Sequence, residues 1–176
     1  MLIARLEAAN WWGEIVGPHG AGKSTLLATL LPKLTATGRD VAAVALHASE
    51  RRLPHGFLRR VLDRPAALVV VDGYELLSVL ECGWLRWRCR RAAAGLLVTS
   101  HAATGLPTLI RLEPDLEMVS QLVTRLTRRV PSVVSFADVA ASHACHGSNV
   151  RETLFDLYNC HERLSGARRT AMARPA

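Results

Sequence analysis

A chain of 176 residues can bury one sizeable core but is too short for two ordinary domains. Its 49% hydrophobic and 21% charged content reads as soluble and globular, and no run approaches the roughly 20 apolar residues of a membrane span. Arg5 and Glu7 interrupt the apolar part of Met1 to Val16, so no signal peptide is expected and a cytoplasmic location is. The net charge of +7 and a pI near 10.0 raise the question of nucleic acid, but every basic residue apart from Lys23 and Lys33 is arginine. With the abundant alanine, this reads as a bias of the whole chain. Arg86, Arg88, Arg90 and Arg91 still cluster, as do Arg125, Arg128 and Arg129. A solvated helix face and an anionic partner both stay open for them.

Taken in order, Trp12 to Val16 reads as a first strand. Gly17-Pro18-His19-Gly20-Ala21-Gly22-Lys23-Ser24-Thr25 follows, and a helix from Lys23 to about Thr35 comes next, its end marked by Thr37-Gly38. Val41 to Leu46 is a second apolar run. Leu53 to Asp63 is predicted helical, bounded by Pro54 and Pro65. Ala67 to Asp72 is β-branched and apolar on both faces, as buried parallel strands are. Tyr74 to Ala93 has a helical pattern, Gly95 to Ser100 is another buried strand, and Thr108 to Leu112 is a short fifth. Strands alternating with helices predict an α/β, three-layer fold with a parallel five-stranded sheet.

After Pro114 the pattern turns all-helical, with Leu116 to Arg129, Ser135 to about Ala144, and Val150 to Leu164. The predicted organisation is a nucleotide-binding core over 1–114, a small helical lid over 115–164 and a disordered tail over 165–176.

Residues 17–25 match G-x-x-x-x-G-K-[ST] between a strand and a helix, the context of a phosphate-binding loop. Glycines let successive N–H groups turn toward phosphate oxygens, and the helix N-terminus adds its positive end. Lys23 would meet the β- and γ-phosphates, and Ser24 would offer a hydroxyl to Mg²⁺. Asp72, ending a buried strand, is placed to hold that metal, which would compensate a carboxylate otherwise costly to bury. Glu75 stands within a helical turn of Asp72. It suits either the polarising of an attacking water or the positive end of the following helix. Thr99 and Ser100 end the next strand and His101 follows; the three could orient the γ-phosphate and that water if this strand lies between the other two.

Cys82 and Cys89 share one helix face and read as packing, and the His143, Cys145, His146, Cys160 and His161 group matches no standard zinc spacing. Trp11 and Trp12 could stack on adenine but more ordinarily pack. Trp84 and Trp87 read only as helix packing.

Gly17 to Thr25, Val69-Val-Val-Asp72 and Leu97-Val-Thr-Ser-His101 together resemble the additional-strand division of P-loop NTPases, which contains the AAA+ and ABC ATPases. Gly13 to Leu27 is close to an ABC-type loop and His101 resembles the ABC switch histidine, but the Leu-Ser-Gly-Gly signature is missing before Asp72. Gly147-Ser-Asn-Val-Arg-Glu152 with Leu154 resembles the sensor-2 segment of AAA+ proteins, with Ser148 as an extra residue. That resemblance implies Arg151 as a nucleotide-binding arginine.

The expectation is an ATP-binding P-loop ATPase with ATP and Mg²⁺ as cofactors, coupled to a protein partner or to further copies of itself. Lys23, Asp72, Glu75 and Ser100 would carry catalysis. A P-loop small-molecule kinase, using Arg51-Arg52 and Arg59-Arg60 on a phosphorylated acceptor, is the alternative enzyme. A nucleotide-dependent binding module without turnover is the non-enzymatic one.

Overall fold

The computed structural model describes residues 2–47, 50–128 and 134–172. By contact, the chain falls into two compact units, Met1–Gly17 with Lys23–Leu112, and Pro18–Gly22 with Glu113–Ala176.

The first unit opens with α1 (Leu2–Ala8), an element the sequence reading passed over, which buries Leu6. Asn10 and Trp11 take positive φ values of 53° and 66°, turning the chain from α1 into β1 (Trp12–Val16). Helix α2 (Lys23–Thr35) buries Leu27, Leu30 and Leu34, the spacing of a single helical stripe. Strand β2 (Asp40–Ala45) follows.

Helix α3 is shorter than the predicted 53–63, spanning Phe57–Leu62. Leu53 is disfavoured in helical geometry by Pro54, and Gly56 takes a left-handed φ of 73° at the N-cap. β3 (Ala67–Asp72) matches its predicted bounds. The predicted helix over 74–93 is broken in two. Gly73, at φ 84°, leads into a 3₁₀ turn, η1 (Tyr74–Leu76), and Leu77 is extended. Ser78 then caps α4 (Val79–Arg91) by accepting from the Glu81 N–H at 3.2 Å. β4 (Gly95–Ser100) and β5 (Thr108–Arg111) complete the sheet.

The five strands are parallel in the order β2-β3-β4-β1-β5, so β4 is inserted between β1 and β3. Alternation sorts the side chains by face. Leu68 and Val70 join Leu6, Ile15, Leu27 and Leu34 in one core layer, while Val69 and Val71 join Leu58, Leu85, Leu96 and Val98 in the other. Each fully buried Val or Leu contributes roughly 1.5–3 kcal/mol of transfer free energy.

In the second unit, α5 (Leu116–Thr127), α6 (Phe136–His146) and α7 (Val150–Met172) pack around Val119, Val139 and Leu157. Asp115 caps α5, and Ser135 with Asp138 forms a reciprocal capping box on α6. The capping hydrogen bonds from Ser135 hold the Asp138 carboxyl below its ordinary range. Helix α7 runs past Leu164, where the apolar period stops, to Met172. Arg129 and residues 173–176 lie outside the described residues.

Candidate functional site

Residues 17–25 form a loop that leaves β1 and ends in the first turn of α2. The Gly17 N–H donates to the Ser100 carbonyl at 3.2 Å, which ties the start of the loop to the end of β4. Gly20 is required twice over. Its φ is +75°, and a Cβ there would lie 1.8 Å from Asn149 Oδ1. Lys23 is 8% exposed and its Nζ donates to the Gly17 carbonyl at 2.6 Å, so the ammonium curls over the loop's own backbone. Burial lowers its pKa from the ordinary lysine value, and Glu75 and then Asp72 oppose that shift by their charge. Both carboxylates therefore share the electrostatic surroundings of this ammonium.

The register explains how. Val71 of β3 pairs with Val98 of β4, so Asp72, the last residue of β3, lies beside Thr99, the last but one of β4. The Thr99 hydroxyl donates a short hydrogen bond to Asp72 Oδ1 and accepts from the Gly73 N–H at 2.9 Å. Thr99 thus aims the carboxylate and holds the left-handed turn that follows it. Glu75, on η1, lies 3.1 Å from His101 Nε2 through Oε1. The Ser100 hydroxyl donates to the Ala102 carbonyl at 2.7 Å, a local cap on the loop after β4. Ser24 and Thr25 are exposed in the first turn of α2.

A hydroxyl on Ser24 and a carboxylate on Asp72 are both hard oxygen donors, a set suited to Mg²⁺, which keeps several waters and binds few side chains directly. Among the described residues no group of three or more His, Cys, Asp or Glu is placed to hold a metal, the Cys and His residues of α6 and α7 included.

In the second unit, Asn149 Oδ1 accepts from the Glu152 N–H at 3.3 Å, capping α7, and Arg151 is exposed in the first turn of that helix. The N-terminal tryptophans pack. Trp11 lies against the layer of Leu6 and Leu27 with Arg39 3.9 Å from its ring centre, and Trp12 lies against the other layer beneath Arg90.

The sequence reading gave no role in this region to three residues that hold it. Glu14 is wholly buried in β1, where its carboxylate accepts from Thr104 N at 2.8 Å, Thr104 Oγ1 at 2.6 Å and Thr108 Oγ1 at 2.8 Å. Arg86 of α4 donates to the Thr104 carbonyl at 2.7 Å and to the Tyr74 hydroxyl at 2.9 Å. Glu14, Thr104 and Arg86 thereby pin the loop that begins at His101, and Arg86 joins it to the turn carrying Glu75. The signal was a lone carboxylate inside an apolar strand. Burial, and next the Cys82 side chain, push the Tyr74 phenol up to about 12.

No family model and no curated protein matches the sequence. Among solved structures, a DNA replication initiation factor aligns over 96% of this chain with a TM-score of 0.64 and 14% identity. The chain has the fold of that factor. It spans 62% of the factor's length. A second structure, PCH-2 of C. elegans, aligns over 68% of this chain and 40% of its own, at 17% identity and a TM-score of 0.43. No described helix is long and apolar enough to cross a membrane.

Proposed function

We propose that this chain is a Mg·ATP-binding ATPase of AAA+ type. The observation that carries the reading is the glycine-rich loop between β1 and α2 with Lys23 buried over its backbone, together with Asp72 ending the buried strand β3. A buried ammonium on the loop and a carboxylate at a strand end suit a β,γ-phosphate and its metal, since the lysine offsets phosphate charge and the aspartate would meet the cation. The backbone of Gly17 to Thr25 binds the phosphates, and Ser24 and Asp72 are the metal-side groups. Bound Mg²⁺ supplies neutralisation of charge on the phosphate oxygens. Glu75 orients the attacking water, and His101 holds Glu75 in place through the 3.1 Å contact. Ser100 would orient the γ-phosphate or the water, and Arg151 would offer its guanidinium to phosphate oxygens.

The same His101–Glu75 contact supports a second reading, a switch that binds ATP and does not turn it over, because the carboxylate is already engaged. Titration of a fluorescent ATP analogue with Mg²⁺ tests the binding. Lys23→Ala is expected to abolish it, and wild-type affinity in that variant refutes the site. Phosphate release then separates the two readings. The ATPase reading expects Glu75→Gln to lower the rate by about 100-fold or more, whereas equal, near-zero rates in both proteins establish the switch.

A further inference from the structure

Trp84 and Trp87 read in sequence as helix packing, but they are 44% and 54% exposed on α4, beside Val79 at 88% and Leu80 at 85%. Leu85 and Cys89, on the opposite side of the helix, are the ones packed against the sheet. Leu80, Trp84, Trp87 and Arg91 recur at helical spacing and form one outward stripe. Single exposed apolar residues are ordinary, but Leu80, Trp84 and Trp87 put three large ones on one side of a 13-residue helix, with Val79 at its N-terminal end.

The patch is also basic. Arg88 lies 5.6 Å from the Trp84 ring centre and Arg91 5.7 Å from that of Trp87, so each indole carries a guanidinium. Alongside runs a groove of about 810 Å³, whose walls include Arg52, Pro54, Phe57 and Arg59 together with Trp84 and Arg88. Its two carboxylates are Asp63 and Glu81, and Glu81 is occupied by the Leu53 N–H at 3.3 Å. The side chain of Arg60 lies outside the described residues.

We propose that this face of α4 and its groove dock an acidic, amphipathic segment of a partner protein. Its apolar side chains cover Leu80, Trp84 and Trp87, and its carboxylates meet Arg88, Arg91, Arg52 and Arg59. Tryptophan and arginine are the side chains that most often dominate such interfaces. A nucleic-acid strand fits less well. Stacking platforms need open aromatic faces, and here the chain's own guanidinium groups lie over both indoles, while Val79 and Leu80 offer nothing to a phosphate. A second copy fits less well still, because a two-fold contact through this patch would set Arg88 and Arg91 against their own counterparts.

The experiment is selection of random displayed peptides on the full chain, followed by fluorescence anisotropy of the enriched peptides. Enriched peptides are expected to combine Asp or Glu with Leu, Phe or Trp at helical spacing. Their affinity is expected to fall at least about tenfold in Trp84→Ala/Trp87→Ala and, separately, in Arg88→Glu/Arg91→Glu. Substituting lysine for the peptide's acidic residues should restore binding to the second variant. Thermal melting of both variants confirms that they fold. The proposal is overturned if no acidic amphipathic peptide is enriched, or if binding is indifferent to both variants. It is equally overturned if oligo-dT outcompetes the peptides at this face, or if sedimentation shows a dimer that Trp84→Ala/Trp87→Ala dissolves.

Discussion

Thr99 shows how much a single hydroxyl can organise at the end of a buried strand. It spends its proton on Asp72 and a lone pair on the Gly73 N–H, and the residue is wholly inaccessible. Thr99→Val keeps the shape but strands that N–H and releases the carboxylate. The expected loss is about 1–3 kcal/mol in urea melts, together with weaker Mg²⁺-dependent nucleotide binding, while Thr99→Ser keeps both. At Gly20 a methyl group meets two obstacles, the positive φ and Asn149 Oδ1. Gly20→Ala should therefore lose fluorescent-nucleotide binding. Asn149→Ala is expected to rescue it only in part, because the left-handed backbone still costs about 1–2 kcal/mol. The glycine spacing and Lys23 stand out in the sequence because the pattern is local. The pairing of Thr99 with Asp72 does not, since it needs β4 beside β3.

Among the elements, α4 and the loop after β4 carry the organisation that spacing did not predict. The helical period of 74–93 is continuous, yet Gly73 and Ser78 divide it, since a left-handed glycine and a capping serine favour a new start over one long helix. That break leaves Tyr74 free to face inward and take the Arg86 hydrogen bond. Ser78→Ala is expected to cost about 1 kcal/mol in thermal or urea melts. Glu14→Ala acts on the neighbouring loop. It removes the buried carboxylate that accepts from half-buried Thr104 and exposed Thr108, at about 1–3 kcal/mol. If His101 positions Glu75, phosphate release in that variant should fall further than nucleotide affinity does, and equal losses would remove Glu14 from the site's support.

At the scale of the whole molecule, burial makes the fold sensitive to alkali. Desolvation holds the Tyr74 phenol up to about 12 against an ordinary 10.0, and the Cys89 thiol up to about 12 against 9.0. Both groups keep their protons more tightly folded than unfolded. Their contribution is therefore complete below about pH 9 and is lost as the pH climbs toward 12. Urea melts from pH 8 to 11 should show stability falling by about 1.4 kcal/mol per pH unit for each group within its window. Tyr74→Phe and Cys89→Ala should each flatten that slope, and an unchanged slope in both would show that the two groups are not responsible. The alternation of strands and helices, the glycine-rich loop between β1 and α2 and the carboxylate ending β3 were determined by sequence alone, because each rests on neighbours within a few residues along the chain. Only the tertiary structure decided which faces are covered. The insertion of β4, the hydrogen bonds that bury Glu14 and the outward turn of Trp84 and Trp87 depend on contacts between residues far apart in the chain, and no local period encodes which side of a helix meets the sheet.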